Sequence, residues 1–217
     1  MADESRRLVL GRNKNASADK LRMKRKLKSL LGRPLFYFLR STRGLRKDLN
    51  RLYAHALLSA DLVTDLPASA VIEGKAYVYG TRNIHFGKNV LLYPDVHLET
   101  QGDASIEIGD NVVISRGVHL VAMAGIIIGA DSMIGEYTSI RDANHDRDQD
   151  GLLRDKGYAA KPIAIGNKVW IGRGAAILSG VSIGDKSTVG ANAVVTRSLP
   201  AECVAVGVPA SPVLPKT

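Results

Sequence analysis

Five histidines, a single cysteine and one acid-rich run are the side chains in this 217-residue sequence with obvious chemical reach. His145 ends the segment Arg141-Asp-Ala-Asn-His and is the one histidine of residues 141–161, a stretch without regular apolar spacing. A neutral imidazole with a pKa near about 6.5 can take a proton from an attacking hydroxyl and return it to a leaving group. Taken alone, His145 is better explained as an ordinary solvated loop residue. The run Asp146-Arg-Asp-Gln-Asp-Gly imitates the opening of a calcium loop, but its twelfth position, where a bidentate glutamate belongs, is Gly157. A hydrated turn explains it better. His85 and His97 are separated by two periods of the repeat described next, which puts them on different sides of a coil. His119 and His145 differ in their place within that repeat, so no metal cluster is expected. Cys203 excludes an internal disulfide and reads as a buried apolar residue.

The elements that must position these groups follow from an unusual period. Every sixth residue from Ile72 gives Ile72, Val78, Ile84, Val90, Val96, Gly102, Ile108, Ile114, Leu120 and Ile126. After a two-residue shift the series continues at Ile128, Ile134 and Ile140, and it returns at Ile165, Ile171, Ile177, Ile183, Val189 and Val195. Small or β-branched residues follow four positions later, as at Val112, Ser132, Thr138, Ala175 and Ser187, and glycine often follows directly, as at Gly129, Gly135, Gly172 and Gly190. Six is the period of neither a helix nor a plain strand. It fits a short strand plus a corner, with the aliphatic residue inward and the glycine easing the bend. Three such sides close a triangular coil of about 18 residues, and about six coils stack at strand spacing. Residues 141–161 do not fit this register and are expected to leave the stack as a loop, where functional residues concentrate.

The net charge of +9 is unevenly placed. Residues 1–60 hold 16 Lys/Arg against four Asp/Glu, whereas residues 61–217 hold 14 against 17. The excess therefore belongs to an N-terminal arm and not to the repeats. Residues 1–20 are polar and expected to be mobile. Asp19–Leu31 reads as a basic helix ended by Pro34. Leu45, Leu49, Leu52, Tyr53, Ala56 and Leu57 form a stripe at helical spacing, and Pro67 closes the region. This divides the chain into a basic helical arm, 1–66, and a mainly β domain, 67–217. Apolar runs are too short to span a bilayer, and the opening residues lack the apolar core of a signal peptide, so a cytoplasmic location is expected.

The hexads, with Ile165-Gly-Asn-Lys-Val-Trp-Ile-Gly-Arg-Gly and the ending Val206-Gly-Val-Pro-Ala, resemble the hexapeptide-repeat acyltransferases over about Val71–Pro212. The nearest branches are the galactoside, xenobiotic and polysaccharide O-acetyltransferases. The resemblance implies a left-handed parallel β-helix, a homotrimer with active sites between subunits, and acetyl-CoA as acyl donor. It also implies that His145 is the catalytic base and Asn144 a substrate contact. The Trp170 backbone amide would serve the oxyanion, with its indole walling the site, while Arg173, Ala191, Thr196 and Arg197 would contact the cofactor. Ser211 departs from the family, whose members often carry a basic residue there.

The resulting expectation is transfer of an acetyl group to a sugar hydroxyl, directly and without a covalent enzyme intermediate, in cell-surface polysaccharide or glycan biosynthesis. An antibiotic acetyltransferase of the streptogramin or chloramphenicol type and a non-catalytic β-helix scaffold are the alternatives. Carbonic anhydrases share the architecture but need the histidine cluster that is missing, and serine acetyltransferases carry a larger helical domain. The interleaving of basic residues with Leu35, Phe36, Tyr37 and Phe38 suits peripheral contact with an anionic inner membrane surface or a capping role, and not nucleic-acid binding.

Overall fold

A computed structural model describes residues 2–146, 152 and 157–213. Two helices come first: α1, Ala2–Ser41, and α2, Arg43–Asp61. The α1 helix includes residues 2–20, expected to be mobile, and continues through Pro34, expected to stop it. Its other residues are mostly Lys, Arg, Leu and Ala, which favour the helix individually, so one missing backbone donor is carried within a long element. The chain divides into two compact units, 1–48 and 49–217. In the second unit Ala54 and Leu58 of α2 are buried with Leu66 and Ala70, and Arg51 pairs with Glu73. The apolar stripe read from the helical spacing faces outward, Leu49, Leu52 and Tyr53 each being more than half exposed.

From Val71 the chain winds as a parallel solenoid with three strand faces. On the first face Val71, Leu91, Val113, Met133, Trp170, Thr188 and Val204 stack in register. The second face carries the column Tyr77, His97, His119, Ser139, Ala176 and Val194. The third carries His85, Glu107, Ile127, Ala164 and Ser182. Inward neighbours form one narrow aliphatic core: Ile114, Leu120, Ile126, Ile134, Ile140, Ile171 and Ile177 have no exposed surface. Strand alternation therefore explains why one residue in six had to be aliphatic.

The coils are not of uniform length. From the first face to the second, and from the third back to the first, the step between columns is a single hexad in every coil described. Between the second and third faces the step varies. It is one hexad from Ala176 to Ser182, longer from Tyr77 to His85 and from His119 to Ile127, and longer again from His97 to Glu107. From Ser139 to Ala164 it exceeds four hexads. All the variation in length falls at one corner. The other two corners are closed by a left-handed residue two positions after the glycine, such as Asn111, Asp131, Lys168, Tyr137 and Asn192. The glycine itself does not make the bend. A Cβ on Gly172 would stand 2.6 Å from the Ala191 nitrogen of the next coil, so glycine is required there by coil-to-coil contact.

Candidate active site

The longest excursion at the variable corner carries His145. Ala143–His145 pairs antiparallel with Tyr158–Ala160, placing Asn144 opposite Ala159 and His145 opposite Tyr158. The two rings lie 4.7 Å apart with planes tilted by 38°. Ala143 is buried, whereas Asn144 and His145 are exposed. The extruded segment is thus a strand pair at its root, which presents an imidazole to solvent on a supported backbone. The acid-rich run read as a calcium-loop imitation falls mostly outside the described residues.

On the first face, the indole of Trp170 is 57% exposed and borders a cavity of about 430 Å³ with Arg173, Ala191, Met133, Glu136 and Ser115. A contiguous hollow of about 560 Å³ adds Tyr93, Arg116 and Tyr137. Gly172 packs directly against the Ala191 backbone, and both residues form part of the cavity wall. One expected role changes. The Trp170 N–H donates to the Ser187 carbonyl at 2.9 Å as part of the coil ladder, so it is already committed and is not a vacant oxyanion donor. Trp170 offers the cavity its ring. Thr196 and Arg197 are exposed just beyond the strand Val194–Val195 and do not line this cavity. Ser211 lies on the antiparallel strand Ser211–Pro212 that pairs with Val204–Val206.

The structure therefore gathers Trp170, Arg173 and Ala191 in one groove, and His145 with Asn144 on a separate hairpin. The variable corner that bears the hairpin is the corner opposite the first face of the triangle.

Two features escape a reading by hexads. His97 and His119, in adjacent coils, stack at 4.3 Å with Tyr77 above them at 4.6 Å from His97. Burial first, then the charges of His97 and Arg141, hold the His119 pKa below its ordinary value. Among the described residues no group of three or more His, Cys, Asp or Glu converges as a metal site would. The second feature is Asp142, fully buried beneath the hairpin. Its signal in the sequence is a carboxylate two residues after the inward Ile140, a position that strand alternation also turns inward.

Comparison with known proteins adds the chemistry. Residues 162–197 match the family described as bacterial transferase hexapeptide (six repeats). A protein of Escherichia coli (strain K12) named as a lipopolysaccharide biosynthesis O-acetyl transferase, WbbJ, is 30% identical over 153 residues, which are 64% of this chain and 76% of that protein. The galactoside O-acetyltransferase of the same organism is 34% identical over 70% of this chain and 64% of its own length, so the chain spans just under two thirds of that relative. A solved structure of a variant of AntD, an N-acyltransferase from Bacillus cereus, in complex with dTDP-4-amino-4,6-dideoxyglucose and coenzyme A, superposes with a TM-score of 0.59 at 25% identity, covering 67% of this chain and 79% of that one. The triangular coil, the groove beside Trp170 and the relatives' shared acyl transfer have one common explanation: this chain belongs to the bacterial transferase hexapeptide family and is an acyltransferase.

Proposed function

We propose that the chain is an acetyl-CoA-dependent O-acetyltransferase acting on a sugar hydroxyl in polysaccharide or glycan biosynthesis, with His145 as general base. The carrying observation is the strand-paired hairpin that displays His145 at the one corner where the coil admits extra length. The acceptor hydroxyl oxygen attacks the thioester carbonyl while His145 takes its proton. A C–O bond forms, the C–S bond breaks, and the imidazolium returns the proton to the departing thiolate. The donor lies along the groove of Trp170, Arg173 and Ala191, with Thr196 and Arg197 further along the same C-terminal coils and Asn144 on the acceptor side. The relatives' names support hydroxyl acceptors in lipopolysaccharide and galactosides. The AntD complex favours a second reading, an amino sugar acceptor, through its bound aminodideoxyglucose nucleotide.

Because the hairpin and the groove belong to opposite parts of one coil stack, the reading includes a homotrimer in which one copy's His145 meets its neighbour's groove. The outward column of the first face supports such packing: Val71, Leu91, Val113, Met133, Trp170 and Val204 are apolar, and Thr188 is the one hydroxyl among them. The arm supports a location. On α1, Met23, Leu27, Leu30, Leu31 and Phe38 share one helical face and are each more than half exposed, with Arg22, Arg25, Lys26, Arg33 and Arg40 on the other. Such a helix suits a cytoplasmic enzyme lying on an anionic lipid surface. Among the described residues no helix is long and apolar enough to cross a membrane.

The test supplies acetyl-CoA with a panel of neutral and amino sugars, following free thiol and product mass. Acetylated hydroxyls are expected, and His145→Ala lowers the rate by about 100-fold or more. Full activity in that variant would remove His145 from the mechanism. Product carrying the acetyl only on nitrogen would select the amino sugar reading.

A further inference from the structure

We propose that Asp142 is the positioning residue of the transfer site: its buried carboxylate fixes the direction in which the His145 hairpin leaves the coil stack. The inference rests on the reading of His145 as base. Asp142 has no exposed surface. A carboxylate so placed is costly unless its oxygens are satisfied, and here they are, by three consecutive backbone donors of the preceding coil. Met123 N–H donates to Oδ1 at 2.8 Å, and Ala124 and Gly125 N–H donate to Oδ2 at 2.7 and 2.6 Å. Three successive amides converging on one anion form a nest with fixed geometry.

The same residue is held from the other side. Its carbonyl accepts Lys161 N–H at 2.9 Å, where the hairpin returns, and Ser179 Oγ–H at 2.6 Å, from the following coil. Its own N–H donates to the Val121 carbonyl at 3.3 Å. Ser179 Oγ also accepts Lys161 N–H at 3.1 Å. Asp142 thus ties three successive coils at the root of the excursion, and both ends of the hairpin meet there. Beyond it the chain runs extended to His145, a span of about 10 Å on a paired strand. Such a strand transmits a change of direction at its root to the imidazole. An amide in place of the carboxylate would turn an N–H₂ group toward at least one of the three N–H donors and spoil the nest. Nothing in the coil repeat requires an acid at this position, since the other inward residues of the stack are apolar or small.

The experiment uses the full chain with Asp142→Asn and Ser179→Ala. It measures kcat, the KM for acetyl-CoA, the ¹³C-edited resonance of the His145 ring across pH in the absence of ligand, and the thermal melt. Asp142→Asn is expected to lower kcat by about 100-fold, the effect of displacing a reacting group by roughly an ångström. The KM for acetyl-CoA stays close to wild type because the groove residues are untouched, and the His145 resonance shifts or splits. Ser179→Ala gives the same changes to a smaller degree. Wild-type kcat and an unmoved resonance in Asp142→Asn would overturn the proposal, as would a loss of kcat with the resonance unmoved. If Asp142→Asn does not fold, an unmoved resonance and unchanged kcat in Ser179→Ala overturn it, and the graded change supports it. Full activity in His145→Ala together with a shifted resonance in Asp142→Asn would sink the base reading while leaving the positioning of the hairpin intact.

Discussion

Trp170 and His145 stand on opposite parts of one triangular coil stack. Trp170 lies in the first-face column between Met133 and Thr188, while His145 pairs with Tyr158 on the hairpin extruded at the corner opposite that face. In the proposed trimer, a substrate against the groove of one chain is therefore served by a histidine from another. Mixing two inactive variants tests this. His145→Ala and Trp170→Ala subunits, each impaired alone, are expected to recover activity when assembled together. In randomly mixed rings roughly a quarter of the sites then pair an intact histidine with an intact tryptophan. No recovery in co-assembled trimers would place both groups at a site within one chain.

Gly172 faces the next coil with no room for a side chain. A Cβ there would lie 2.6 Å from the Ala191 nitrogen and 2.9 Å from its Cα, both backbone atoms that cannot swing aside. Gly172→Ala is expected to cost about 1–3 kcal/mol, as overpacking does, and to raise the KM for acetyl-CoA because the same contact borders the groove. Urea unfolding and donor titration check it. Gly157→Ala, where no atom of the described residues lies within 4 Å of the added carbon, is the control and leaves both unchanged.

His119, stacked on His97, makes stability depend on pH. The His119 pKa is lowered in the folded chain, chiefly by burial and then by His97 and Arg141, whereas in the unfolded chain it returns to about 6.5. The unfolded state then binds the proton more readily. The contribution to stability is complete above about 6.5 and is lost as pH falls from there to the folded-state value. The urea midpoint should drop between about pH 7.5 and pH 5.5, and His119→Asn should flatten that slope. A slope unchanged in the variant would assign the effect elsewhere.

For the arm, vesicle flotation gives the measurement. The wild-type chain is expected to float with vesicles containing anionic lipid and to be released by added salt, as a basic amphipathic helix requires. Leu30→Glu with Phe38→Glu places two charges on the apolar face of α1 and abolishes flotation without altering acetyl transfer to a soluble sugar. Equal flotation of both proteins, or flotation on neutral lipid alone, would end the membrane reading.

Much of the solenoid is written in the sequence because its determinants are local. An inward aliphatic residue in each hexad is enough to define a side, and Ile114, Ile134, Ile171 and Ile177 are buried as their register requires. The failure of that register after Ile140 located the excursion that carries His145, since one corner of a coil cannot absorb the whole span from Ser139 to Ala164. What local pattern could not supply was the third dimension of the stack. Coils longer than three hexads bring His97 beneath Tyr77 and onto His119, a relationship invisible while every coil is counted as three equal sides. The ladder bond that commits the Trp170 amide, and the three amides that close on Asp142, come from neighbouring coils. The outward turn of Leu52 and Tyr53 likewise depends on which face of α2 meets the core. Burial and hydrogen-bond satisfaction across coils are non-local, so they were decided only when the chain had closed its turns. The placing of the His145 hairpin depends on both: its length is local, and its direction belongs to the stack.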